Sequence, residues 1–231
     1  MLDTALITQS NYIPWKGYFA NIAQADVFVI YDDMQYTKRD WRNRNKVKSP
    51  GGLKWLSIPV EVKGKYLQKI NETKVSDFSW SIDHLNAIKN YYRTAPAFKE
   101  NKDWLEELYM NCTSPWLTEI NRYFIEHIMK YFGIETEIKD SREFVLVEGK
   151  TEKLVSICEQ IGAKQYLTGP AAKNYMSEDP FLEKGIEVLY SDYSVYKEYE
   201  QLYPPFEHGV TILDVILNKS LDSISWSNSF K

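Results

Sequence analysis

Thr4-Ala5-Leu6-Ile7-Thr8-Gln9-Ser10-Asn11, then Pro14-Trp15-Lys16-Gly17-Tyr18-Phe19-Ala20-Asn21-Ile22-Ala23, then Val27-Phe28-Val29-Ile30-Tyr31 is the stretch whose reading decides the fold. The first run is short, apolar and stopped by the turn-prone Ser10-Asn11, as a buried strand requires. Pro14 fits the opening of a helix, and the apolar spacing after it is helical. The third run is β-branched and aromatic, which predicts a central strand. Strand, loop, helix, strand is the outline of a βαβ unit, and such units build parallel sheets.

Further along, Trp55-Leu56-Ser57-Ile58-Pro59-Val60 reads as a strand, with Pro59 marking an edge or a strand end. Ile82, Leu85, Ile88 and Tyr92 recur at helical spacing, as do Leu105, Leu108, Tyr109 and Cys112. A third helix has Ser114 as its expected N-cap, Pro115 at its first position and a Leu117/Ile120/Phe124/Ile128 stripe. Gly133 stops it, with apolar Ile134 just beyond. A helix through Leu154, Val155, Cys158 and Ile161 ends at Gly162. Strands follow at Gln165–Thr168 and Ile186–Tyr190, and a short helix at Ile212–Leu217. The expectation is an α/β fold with a largely parallel sheet and flanking helices. It forms one domain over 1–217, carries a helical insertion around 78–133, and ends in a polar tail over 218–231.

Composition bounds the setting. Of 231 residues, 44% are hydrophobic and 26% charged, which is globular rather than disordered. Met1-Leu2-Asp3-Thr4 offers no basic, apolar leader, and no apolar run approaches the length of a membrane span, so neither export nor a span is expected. Two cysteines far apart, Cys112 and Cys158, read as reduced buried thiols of a cytoplasmic protein. The sequons at Asn71, Asn111 and Asn218 then carry no weight. The net charge of -4 argues against nucleic acid as a partner. Yet residues 31–48 hold Lys38, Arg39, Arg42, Arg44, Lys46 and Lys48 against only Asp32, Asp33 and Asp40. A positive focus on an acidic chain suits a small anionic ligand.

Two loops therefore carry the candidate site. In a parallel sheet, ligands lie beyond the carboxyl ends of the strands, and a helix N-terminus offers free N–H groups to an anion. The first loop contributes Gln9, Asn11, Tyr12, Trp15, Gly17 and Tyr18, with Gly17 permitting close backbone approach. The second follows the central strand and should emerge at the same edge. It contributes Gln35, Tyr36, Lys38, Arg39, Trp41, Arg42, Asn43 and Arg44, the arginines supplying planar bidentate donors. Asp32 and Asp33 are candidate catalytic residues, as base or metal ligand, or else partners of the arginines. Gly169-Pro170-Ala171-Ala172, after a strand, is either a second ligand loop at Gly169 or a plain strand-to-helix turn. Ordinary loops with aromatic anchors and solvated charge account for the same residues more blandly.

Other signals fail. Gly149-Lys150-Thr151 lacks the glycine a phosphate loop needs five residues earlier, where Phe144 stands. His84, His127 and His208 are too scattered to indicate a metal site. There is no nucleophile elbow, no Cys-x-x-Cys and no dinucleotide fingerprint.

Gln9-x-x-Tyr12-x-Pro14-Trp15-x-Gly17-Tyr18-Phe19, Ala25-Asp26-x-Phe28-Val29 and Asp32-Asp33-x-Gln35-Tyr36-x-Lys38-Arg39-x-Trp41-x-Asn43-Arg44-Asn45 together resemble the WbqC-like family. The likeness continues through Trp55–Val60, Tyr166–Ala172 and Gly185-Ile186. It departs at Ser10, where family members often have proline. The resemblance implies a role in bacterial surface-polysaccharide (O-antigen) biosynthesis, as a transferase joining glycine, another amino acid or an acyl group to a sugar through an amide. A looser likeness links the first 30 residues to Rossmann-like nucleotidyltransferases such as pantothenate synthetase, although their first-loop histidines are absent here.

On that reading Arg39, Arg42 and Arg44 hold the phosphate or carboxylate of an anionic substrate such as a sugar nucleotide. Tyr12, Trp15 and Tyr36 pack against sugar or base, and Gln9 and Asn43 orient polar groups. The cofactor stays open between ATP, a divalent metal and none. The alternatives are a metal-dependent glycosyltransferase using Asp32-Asp33, although the spaced Asp-x-Asp pattern is absent, and a non-catalytic nucleotide-sugar-binding protein of an assembly complex.

Overall fold

A computed structural model describes residues 3–219 of the chain. Its main sheet has five strands, β1 (Thr4–Thr8), β2 (Val27–Ile30), β5 (Glu137–Asp140), β6 (Gln165–Thr168) and β7 (Glu187–Tyr190), in the order β5-β2-β1-β6-β7. Every neighbouring pair is parallel. The chain leaves β1 toward β2 and β5 on one side, then crosses to β6 and β7 on the other. The order reverses between β1 and β6, which is the topological switch of a doubly wound α/β sheet.

Side-chain alternation explains why β1 and β2 read as continuous apolar runs. Leu6, Phe28 and Ile30 enter one core, while Ala5, Ile7, Val27 and Val29 enter another on the opposite face. The first core takes Phe19 and Ile22 from helix α1 (Lys16–Gln24) and the stripes of α2 (Trp80–Tyr92), α3 (Phe98–Met110) and α4 (Leu117–Phe132). The second takes Val155, Ile157 and Cys158 from α5 (Lys150–Ile161) and Phe181 from the short α6 (Asp179–Leu182). Helices α2 to α4 fall within the expected 78–133 segment. Gly133 and Gly162 end α4 and α5 with φ of +65° and +78°, the left-handed conformation glycine adopts without penalty.

Three local expectations need correcting. The strand expected from Trp55 is β4 (Gly52–Ser57), and it lies outside the parallel sheet in an antiparallel hairpin with β3 (Arg44–Ser49). β3 hides in the basic run because its apolar content is a single valine, Val47. The edge strand β5 is equally polar and pairs only with β2. Ser114 is not the N-cap of α4: its hydroxyl accepts from the Trp116 N–H at 3.1 Å, and Trp116 first bridges to Lys74 before the helix begins at Leu117. The last helix, α7, spans Ile212–Asn218, so the expected tail begins inside it, and residues 220–231 lie outside those described. Cys112 and Cys158 are both free and buried. Among the described residues no helix is long and apolar enough to cross a membrane.

Candidate functional site

Parallel strands send the loops after β1, β2, β6 and β7 to one edge, and there the first two are fastened together. Asp32, 2% exposed, accepts from the Ser10 N–H (2.8 Å), the Ser10 hydroxyl (2.6 Å) and the Thr118 hydroxyl (2.5 Å). Burial pushes its carboxyl above the usual range, opposed by these hydrogen bonds and by Arg42. Asn121 donates to the Ser10 hydroxyl and the Arg42 carbonyl, both at 2.9 Å. Arg42 in turn donates to the Ser10 carbonyl at 3.3 Å and to the Asn11 side-chain oxygen. The Tyr12 N–H donates to the Trp41 carbonyl at 3.0 Å. Ile13 is held at φ +39°, a strained setting for a β-branched residue. The Asn45 amide clasps that turn, donating to the Tyr12 and Ile13 carbonyls at 3.2 and 2.7 Å.

Beside this clasp opens a cleft of about 290 Å³. Trp15 and Trp41 contribute its aromatic surface, Asn11 and Asn45 its amides, and Pro14, His208 and Gly209 complete it. His208 belongs to the long segment after β7, whose return is fixed by the Thr211 N–H on the Lys46 carbonyl and the Ile212 N–H on the Pro14 carbonyl, both 2.9 Å. The His208 ring meets Phe206 edge-on at 4.5 Å, and its buried Nδ1 has no hydrogen-bond partner. Burial, then the charge of Lys16, lowers its pKa below the ordinary value, which favours the uncharged ring.

The same segment supplies an aromatic backing. Trp15 meets Tyr193 edge-on at 4.9 Å and Tyr196 at 5.8 Å. A Cβ on Gly17 would lie 2.3 Å from the Trp15 ring, so a side chain there would displace the tryptophan. Gly169 serves this wall from behind, since a Cβ there would come within 3.3 Å of the Tyr193 hydroxyl. Lys16 points inward, its ammonium 5.1, 5.4 and 5.6 Å from the rings of Tyr199, Phe206 and Tyr196, and it donates to the Lys197 carbonyl at 3.2 Å. Burial brings its pKa down to about 8, against the pull of Asp214 and Glu198.

The structure thus gathers Asn11, Trp15, Gly17, Trp41 and Arg42 at one place and disperses the rest. Tyr12 is fully buried, its hydroxyl 2.9 Å from His84 and 2.8 Å from Tyr109, so it presents no face to a ligand. Tyr18 is buried too and donates to the Gln9 carbonyl at 3.0 Å. Gln35, Tyr36 and Lys38 line a separate depression of about 250 Å³ with Val62, Tyr66 and Gln68. Asp33 accepts from Ser141 (2.6 Å), Lys69 (3.2 Å) and Asn71 (3.4 Å). Burial alone would raise its pKa, but the Ser141 and Lys69 hydrogen bonds and the Lys69 charge hold it below the usual range. Arg39 is exposed with φ +62°, and its carbonyl accepts from Arg44. Asn43 donates to the Ile58 carbonyl at 2.8 Å. Among the described residues no group of three His, Cys, Asp or Glu side chains could hold a metal ion.

Sequence reasoning missed Lys16, Asn45, His208 and Gly209. One signal pointed to the segment that carries His208 and Gly209: Tyr190, Tyr193, Tyr196 and Tyr199 recur every third residue.

A model described as the WbqC-like protein family matches residues 9–226. The "Uncharacterized protein Rv1507c" of Mycobacterium tuberculosis (strain H37Rv) is 46% identical over 212 residues, covering 92% of each chain. No solved structure matches.

Proposed function

From the premise that the chain belongs to the WbqC-like protein family, we propose that it is a transferase of bacterial surface-polysaccharide biosynthesis that joins an amino sugar, carried as an anionic sugar nucleotide, to glycine, another amino acid or an acyl group through an amide. The observation that carries the reading is the pairing, in one cleft, of the His208 imidazole, its Nδ1 without a hydrogen-bond partner, with the aromatic surfaces of Trp15 and Trp41. Amide formation requires the amine nitrogen to attack an activated acyl carbon while losing a proton. The leaving group departs from that carbon as the C–N bond forms. In this reading His208 takes the proton, a task suited to an unprotonated imidazole near neutral pH. Asn11, whose side-chain oxygen is held by Arg42, is left with an amide N–H₂ to meet the oxygen that gains charge at the acyl carbon. Trp15 and Trp41 offer flat apolar faces to a pyranose ring.

The roles of the aspartates change with this reading. Asp32 is a positioning residue that shapes the loop carrying Asn11, and Asp33 stands with Lys69 and Ser141. Both carboxylates being engaged in this way, a metal-dependent glycosyltransferase is the less supported alternative. The test is incubation of UDP- and dTDP-linked amino sugars with glycine and ATP, or with preformed glycyl and acetyl thioesters, followed by mass spectrometry. A new amide that disappears with His208→Gln is the expected result. Saturable binding without turnover of any pair would overturn it in favour of a non-catalytic binding protein.

A further inference from the structure

A cluster formed by Trp41 and the β3–β4 hairpin adjoins the cleft, and apart from Trp41 it has no part in the chemistry above. Trp41 and Trp55 stand 5.3 Å apart, tilted by 44° and exposed by 39% and 44%. The Arg44 guanidinium lies 4.0 Å from the centre of the Trp55 ring, and the Lys46 ammonium lies 5.5 and 5.6 Å from Trp55 and Trp41. The hairpin register produces this: Lys46 is directly opposite Trp55, and Arg44 lies two residues along on the same face.

Charge on this face is uncompensated. Neither Arg44 nor Lys46 makes a salt bridge among the described residues, and the nearby Asp40 is taken by Arg42, Thr37 and the Trp41 N–H. Arg44 donates one N–H to the Arg39 carbonyl, and its buried Nε has no partner. Among the described residues no other acceptor bonds its guanidinium, which lies against the Trp55 ring. Two exposed aromatic rings beside two unpaired cations, continuous through Trp41 with a sugar-sized cleft, match one chemistry: a ring carried on a diphosphate.

We propose that Trp41, Arg44, Lys46 and Trp55 form the docking platform for a diphosphate-linked sugar. Arg44 and Lys46 hold the diphosphate, Trp41 and Trp55 bear on the groups flanking it, and the sugar extends into the cleft. This rests on the reading of the cleft as a sugar site. The diphosphate arises in two settings, on a nucleoside or on a lipid carrier, and both share the anion that the platform recognises.

Calorimetric titration of the full chain with UDP-N-acetylglucosamine, farnesyl diphosphate, inorganic pyrophosphate and free N-acetylglucosamine tests it. Binding of at least one diphosphate probe is expected, weakening as salt rises. The double variant R44Q/K46Q should weaken it by about tenfold or more, as loss of charge-assisted bonds does. Lys46→Gln alone, whose side chain makes no hydrogen bond among the described residues, guards against a folding defect and should give a smaller loss in the same direction. Preference for the UDP or the farnesyl probe identifies the carrier. Unaltered affinity in both variants, or no binding of any diphosphate by the unmodified chain, would overturn the platform. Equal binding by R44Q/K46Q with amide turnover intact refutes the platform and leaves the transferase reading. Platform-dependent pyrophosphate binding without any sugar turnover does the reverse.

Discussion

Asp32 accepts hydrogen bonds from both the backbone N–H and the hydroxyl of Ser10, at 2.8 and 2.6 Å, and so ties the end of β2 to the loop that follows β1. With Thr118 and Asn121 the pair forms a buried polar knot under the cleft. Such knots are stable when every member is satisfied and costly when one is removed. Asp32→Ala leaves the Ser10 N–H buried without an acceptor and should lower stability by about 3 kcal/mol. Urea unfolding of the two proteins measures this, and a loss below about 1 kcal/mol would show that the knot is dispensable.

His84 gives stability a pH dependence. Burial drives its pKa from 6.5 down to about 4. Between these values the unfolded chain binds a proton that the folded chain refuses. The contribution is therefore fully present above pH 6.5 and is lost as the pH falls toward 4. The shift corresponds to about 3 kcal/mol as an upper bound. Denaturant titrations from pH 7 to pH 4 should show this slope, and His84→Gln should flatten it. An unchanged slope in the variant would assign the effect elsewhere.

Gly17→Ala places a methyl group where the Trp15 ring now lies, at 2.3 Å. The tryptophan must swing away from Tyr193, which costs about 1–3 kcal/mol for an overpacked site and opens the cleft on that side. The expected signature is a shift in tryptophan emission with lost ligand binding. Retention of both would mean that the ring relocates without consequence.

His208→Gln should leave the melting temperature nearly unchanged and reduce turnover by about 10²–10⁴-fold, the usual worth of a general base. Because the His208 pKa lies below the ordinary value, the rate of the unmodified protein should fall only at acidic pH. A rate that is flat through the acidic range would exclude the imidazole as the base.

The central strands, α1, α4 and the glycine stops were readable because their apolar spacing is strong and local. β3 and β5 were not, because an edge or hairpin strand needs few apolar residues and charged side chains mask its period. The first loop follows β1 and lines the cleft through Asn11, Pro14 and Trp15, yet Tyr12 and Tyr18 lie inside the core. An isolated tyrosine has both an apolar body and a polar tip, so the sequence cannot say which of the two is exposed. His208 was passed over because its neighbours, Asn11 and Trp41, are distant in the chain and no local pattern records them.

The Lys16 ammonium reaches the Lys197 carbonyl across 181 residues, and contacts of this span close the cleft. The sheet closes loops nearly as long, Thr4 pairing with Gln165, but through a continuous backbone ladder, whereas the segment 193–211 is held by separate single contacts. The same contacts are free to open without the sheet unravelling. Amide exchange in the segment 193–211 should then be faster than in β1 and β2, and a bound ligand, joining both ends of the fold, should slow it.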